Sequence, residues 1–237
     1  VRRNVEMHSR KSALTRAKQY RTCPPLRQAQ GPNIADDPAY RENLNRHLEI
    51  CPYCSAQPTE NTKIWERLSN AIQESPSPFI PSPESDIILP GQLRHMRSES
   101  AKWREGYFYN PPMVLVLETD GETGKNVRVA QIYHDVCLAA PGDLILPEVH
   151  KEEIFAECWN TYIVSAADLE GSERRVMPEV TDAAIRLGKN PEACPSWALH
   201  PKPMTDNDPR IYFRELEIEV GKVFQSFLNI RGLEVHR

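Results

Sequence analysis

Apolar positions along the chain change their period near residue 90. Residues 111–119, PPMVLVLET, and 127–134, VRVAQIYH, are dense in valine, leucine and isoleucine, and DGETGK between them carries two glycines able to take turn geometry. This pattern predicts a hairpin. DLIL at 143–146 and FAECWNTYIVSAADL at 155–169 read as further short strands, with Gly142 after Pro141 marking the turn before them, so a small sheet or barrel of about five strands is expected. Two helices follow. MPEVTDAAIRLGKNP has Pro178 near its start and Gly188 at its expected end, and the segment from Asp208 and Pro209 carries Phe213, Leu216, Val220, Val223, Phe224 and Phe227 on one stripe.

Before residue 75 the spacing is helical. DDPAYRENLNRHLEIC, residues 36–51, offers Asp36 or Asp37 as N-cap, Pro38 in the first turn, and Tyr40, Leu44, Leu48 and Cys51 on one side. Residues 59–73, TENTKIWERLSNAIQ, suggest a second amphipathic helix through Ile64, Leu68, Ala71 and Ile72. Prolines at 76, 78, 81, 83 and 90 remove backbone donors and favour extended geometry, which reads as a linker. The expected organisation is a basic segment at 1–22, an all-α module at 23–74, a linker at 75–90, and a β-rich domain with C-terminal helices at 91–237. The fold class is α+β. The small module holds too few large apolar residues to bury much surface by itself, so it needs a further source of stability.

Charge sharpens the division. The formal net charge of the 237 residues is −4, yet residues 1–22 hold Arg2, Arg3, Arg10, Lys11, Arg16, Lys18 and Arg21 against Glu6, which leaves about ten negative charges in excess elsewhere. Such an arm can touch nucleic acid or an acidic protein surface, or serve as the solvated tail of a helix. Neither a long apolar run nor a hydrophobic N-terminal centre is present, so neither a membrane span nor a secretory leader is expected, and the cytoplasm is the expected compartment.

Candidate chemistry concentrates in NRHLEICPYC, residues 45–54. His47 and Cys51 are one helical turn apart and share a face, while Pro52 should bend the chain and bring Cys54 round to the same point. Zinc takes four soft or borderline ligands in a tetrahedron, and Cys23 in RTCPPLRQ is the natural fourth beside His47, Cys51 and Cys54. A redox pair at Cys-x-x-Cys needs a strand-helix setting that the polar helical flanks lack. Free thiols beside a surface histidine are the blander alternative. A catalytic zinc keeps a position open, whereas Cys23 closes the shell and Glu49 points off the ligand face, so no catalysis is expected here.

The order Cys23, His47-x3-Cys51-x2-Cys54 resembles the zinc anti-sigma domain over residues 20–74. That resemblance implies a noncatalytic regulatory adaptor of bacterial transcription, with a zinc-clamped helical surface that binds a sigma factor of the extracytoplasmic-function type. Many members continue into a membrane span, whereas this chain continues through a proline-rich linker into another domain, which implies a cytoplasmic signal. The strands from 107 to 169 faintly resemble the SH3-like barrel of plasmid-maintenance ribonuclease toxins. This motivates an alternative, a nucleic-acid-binding or RNA-cleaving barrel drawing on Arg128, His134, Asp135 or His150; a further alternative is an accessory protein of a mobile, CRISPR-type defence locus. Cys137 and Cys158 read as buried small apolar residues. The aromatic residues in WREGYFYNPP and ECWNTY suit either a core or a recognition face.

Overall fold

The computed structural model describes residues 2–23, 38–51, 54, 87–97, 110, 112–120, 125–146 and 154–230. The expected helix at 59–73, the prolines at 76–83, and His150 lie outside them. The chain separates into two compact units: residues 1–18, 85–102 and 111–237 form one, and residues 19–84 with 103–110 form the other.

The larger unit is built on six strands: β1 Gln92–Met96, β2 Met113–Thr119, β3 Asn126–Tyr133, β4 Leu144–Ile145, β5 Phe155–Ser165 and β6 Leu169–Arg175. They form one antiparallel sheet in the order β4-β5-β3-β2-β1-β6. The expected hairpin is β2 paired with β3, with Leu115 opposite Ala130 and Met113 opposite Ile132. Helix α1, Arg2–Thr22, precedes the sheet, and α3 (Pro178–Lys189) and α4 (Pro209–Ile230) follow it.

Alternation along the strands sends successive side chains to opposite faces, and each face has its own helical cover. Leu93, Leu115, Leu117, Ala130, Ile132, Ala156 and Cys158 pack with Val180, Ala183, Ala184 and Leu187 of α3. Tyr133 and Phe155 on the opposite face pack with Phe213 of α4 and with Ala13 and Ala17 of α1. The N-terminal segment is thus more than a solvated tail, since its alanine face is fully buried.

Gly188 differs from its expected role. It lies inside α3, where an added Cβ would come within 2.6 Å of the Cys158 carbonyl oxygen, so close helix-strand packing requires glycine there. Gly142 does supply the turn before β4, with φ of +93°.

Candidate metal centre

In the smaller unit, the last turn of α1 continues onto Cys23, whose N–H donates to the Gln19 carbonyl at 2.9 Å. Helix α2, Pro38–Ile50, places His47 one turn before Cys51, and the Cys51 N–H donates to the His47 carbonyl at 2.9 Å. The Cys54 N–H then donates to the Cys51 carbonyl at 3.2 Å, so the chain turns instead of running on along the helix axis. That turn is where the sequence expects a bend; Pro52 itself lies outside the described residues. Leu44 is buried one turn before His47.

These local choices bring the four expected ligands together. Their ligand atoms all lie within 4.8 Å of one another, and this cluster is the one of its kind among the described residues. Cys23 Sγ is 3.7 Å from Cys51 Sγ, and Cys54 Sγ is 3.4 Å from His47 Nε2. A tetrahedron with metal–sulfur bonds of about 2.3 Å and metal–nitrogen bonds of about 2.0 Å has S···S edges of about 3.8 Å and S···N edges of about 3.5 Å. The two observed separations fit those edges. A disulfide would need the sulfurs at about 2.05 Å, and all six cysteines are free. The group can hold a metal ion.

Burial shapes the electrostatics. Cys23, His47 and Cys51 are buried and Cys54 is half-buried. Desolvation raises the Cys23 thiol far above its ordinary value, and the neighbouring Cys54 and Cys51 thiols raise it further. Cys54 is raised chiefly by burial as well. Three crowded thiols cannot all ionise without a compensating charge, which a divalent cation supplies. Glu49 is exposed.

The other expected candidates are held by neighbours in the larger unit. Arg128 Nε donates to Glu118 Oε2 at 3.0 Å across the β2–β3 ladder, and His134 stacks on Tyr133 with ring centroids 4.6 Å apart. Asp135 accepts from Arg16 Nη2 at 2.5 Å and from the Cys137 thiol at 2.9 Å. Burial and that carboxylate push the Cys137 thiol up to about 12, away from the range of a reactive thiolate. Cys158 is buried in the core, as expected, whereas Cys137 is only half-buried.

Polar residues that sequence reasoning passed over are also buried. Arg210 uses its guanidinium on Asp208, at 3.0 and 2.7 Å, and on the carbonyls of Ala139, Lys202 and Pro203, at 2.9, 2.7 and 2.9 Å. With Ser9, Arg10 and Cys137 it lines a cavity of about 210 Å³, but Arg10 also donates to Asp208, at 3.2 Å. The Asp-Pro-Arg run in DNDPR signals a helix start and nothing of this burial. No described helix is long and apolar enough to cross a membrane. Compared with the models of known families and with curated proteins, the chain gives no match.

Proposed function

We propose that Cys23, His47, Cys51 and Cys54 hold one zinc ion as a structural clamp, and that the clamped helical unit is a noncatalytic adaptor that grips a transcription protein. The carrying observation is the fit of the 3.7 Å and 3.4 Å separations to the edges of a zinc tetrahedron. Three thiols and one imidazole suit zinc, whereas a hard cation such as magnesium prefers oxygen. Four protein ligands leave no position for a reacting water, which favours a structural role. When bound, the ion would supply a point of attachment for both helix ends. Cys23 would tie the end of α1, and His47, Cys51 and Cys54 the end of α2.

The resemblance to zinc anti-sigma domains supports a sigma factor of the extracytoplasmic-function type as the partner, in a cytoplasmic setting. Domain 91–237, read as a small toxin-like barrel, would then receive a signal or dock a second partner. The RNA-cleaving alternative draws no support from Arg128 or His134, given the neighbours that engage them. Nucleic-acid binding through the N-terminal arm is likewise weakened, because Arg10 and Arg16 face Asp208 and Asp135. Co-purification of the full chain with the extracytoplasmic-function sigma factors of its source cell tests the reading. Capture of one such factor by the metal-loaded protein, and its loss on Cys51→Ser, is expected. Capture of none of them, with metal fully loaded, would overturn the partner assignment.

A further inference from the structure

Away from the metal centre, the face of the sheet covered by α4 buries two carboxyl groups against each other. Glu157 on β5 and Glu217 on α4 are both 0% exposed. A single amide serves both: Gln131 Nε2 on β3 donates to Glu217 Oε2 at 2.7 Å and to Glu157 Oε2 at 3.4 Å. Tyr162 fixes that amide's orientation, because its hydroxyl donates to Gln131 Oε1 at 2.8 Å and leaves the NH2 facing the carboxyls. Asn160 Nδ2 adds bonds to Glu157 Oε2 at 3.0 Å and to the Glu217 backbone carbonyl at 3.1 Å, tying β5 to α4. Glu157 Oε1 is buried and accepts from no donor among the described residues.

Two fully buried carboxyl groups that accept from one amide nitrogen are too close for both to carry a charge at little cost. Two carboxylates so placed would repel in a low-dielectric interior, and the hydrogen bonds that Glu157 accepts from Gln131 and Asn160 come from neutral amides. We propose that Glu157 keeps its proton in the folded protein, where it lies beside Glu217, and that this proton is a pH-sensitive latch holding α4 against the sheet.

The surroundings support the latch. Burial is the largest influence raising Glu157 above the usual carboxyl range; Glu217 and Asp143 raise it further, and the Asn160 hydrogen bond pulls it down in part. Asp143, in the turn before β4, is itself pushed up to about 7 by burial, which the Ala140 N–H and the charges of Arg214 and Arg210 only partly offset. Those two arginines lie one and two turns before Glu217 on α4 and are engaged elsewhere, Arg214 with the Pro141 carbonyl at 2.6 Å and Arg210 with Asp208. Tyr162 contributes its phenol as a donor to Gln131.

For an acid raised in the folded state, folding takes up a proton. The stabilisation is complete below the unfolded carboxyl value and is lost as pH rises through the folded one. Opening of α4 should therefore become easier with alkali, approaching about tenfold for each pH unit while one proton is released.

The test combines infrared spectroscopy and hydrogen exchange on the full chain. At neutral pH the wild type should show a protonated-carboxyl band that Glu157→Gln removes. As pH rises from neutral into the alkaline range, protection of α4 amides relative to α3 amides should fall in the wild type and stay level in Glu157→Gln or Glu217→Gln. If either variant does not fold, the band is read in Asp143→Asn, which removes the other raised buried carboxyl; its persistence there and its loss with alkali are expected, and its absence would overturn the latch. Absence of that band at neutral pH, or parallel α4 profiles in wild type and variants, would overturn the latch.

Discussion

The two units hold themselves together by different physics. In the larger, both faces of one sheet are covered, and apolar clusters running from Leu93 to Leu187 and from Ala13 to Phe213 supply the driving force. In the smaller, three thiols and an imidazole gather at the ends of α1 and α2, and Leu44 is buried one turn before His47. A fully buried leucine or phenylalanine contributes about 1.5–3 kcal/mol. A structural zinc site contributes about 10–16 kcal/mol of apparent binding energy near neutral pH, expressed as folding energy. The comparison sets an apolar core on one side against a buried cluster of soft ligands able to hold a metal ion on the other.

The largest effect should come from removing a ligand. Cys51→Ser is expected to abolish stoichiometric metal binding and melt residues 20–74 while the sheet unit stays folded, as read by metal content and residue-resolved amide protection. Loss of structure in both units together would erase the contrast. A chelator should reproduce this selectivity in the wild type.

Cutting the apolar core should do the reverse. Phe213 packs against Phe155 and Tyr133, with ring centroids 6.2 and 5.0 Å away. Phe213→Ala is expected to cost about 3–5 kcal/mol in the sheet unit, measured by denaturant unfolding, with metal content unchanged. Breaking the buried ion pair comes close behind. Arg210→Ala leaves the buried Asp208 charge to the ion pair with Arg10 at 3.2 Å and strips its bonds to the Arg210 guanidinium, at an expected cost of about 3 kcal/mol.

That pair also sets an acid limit. Burial alone would raise Asp208, but the hydrogen bonds and charge of Arg210, with the charge of Arg10, outweigh it and hold the carboxyl below its ordinary value. Its stabilisation is therefore present above the unfolded value and lost as pH falls through the folded one. Asp208→Asn should flatten the acid limb of the stability profile, whereas the Glu157 variants act on the alkaline limb. The smallest change is expected from Arg128→Ala, which removes a half-exposed pair with Glu118 and should shift stability by no more than about 1 kcal/mol.

Legibility in the sequence followed the same contrast. The hairpin of β2 and β3 was readable because valine and leucine crowd both runs, and β5 because its long apolar stretch has no competing helical period. β1, QLRHM, offers Leu93 and Met96 at odd spacing and β6, LEGSERR, only Leu169, too few apolar residues to form an alternating run. Their polarity is absorbed locally, as where buried Arg94 donates to Gln92 Oε1 at 2.9 Å and to the Glu170 carbonyl at 2.9 Å. The alanine face of α1 was similarly quiet, because Ala13 and Ala17 allow close approach without announcing a hydrophobic stripe. The metal cluster was plain because three of its members fall within eight residues; only Cys23 had to be brought from a distance. Glu157 and Glu217 could not be paired from the sequence, since 60 positions separate them and charged residues ordinarily face water.

The central claim is most directly tested by elemental analysis and X-ray absorption on protein purified without chelator. The account predicts one zinc per chain, with three sulfur neighbours at about 2.3 Å and one nitrogen at about 2.0 Å. A folded residue 20–74 unit containing no metal, or a zinc shell with oxygen in place of the Cys23 sulfur, would contradict it.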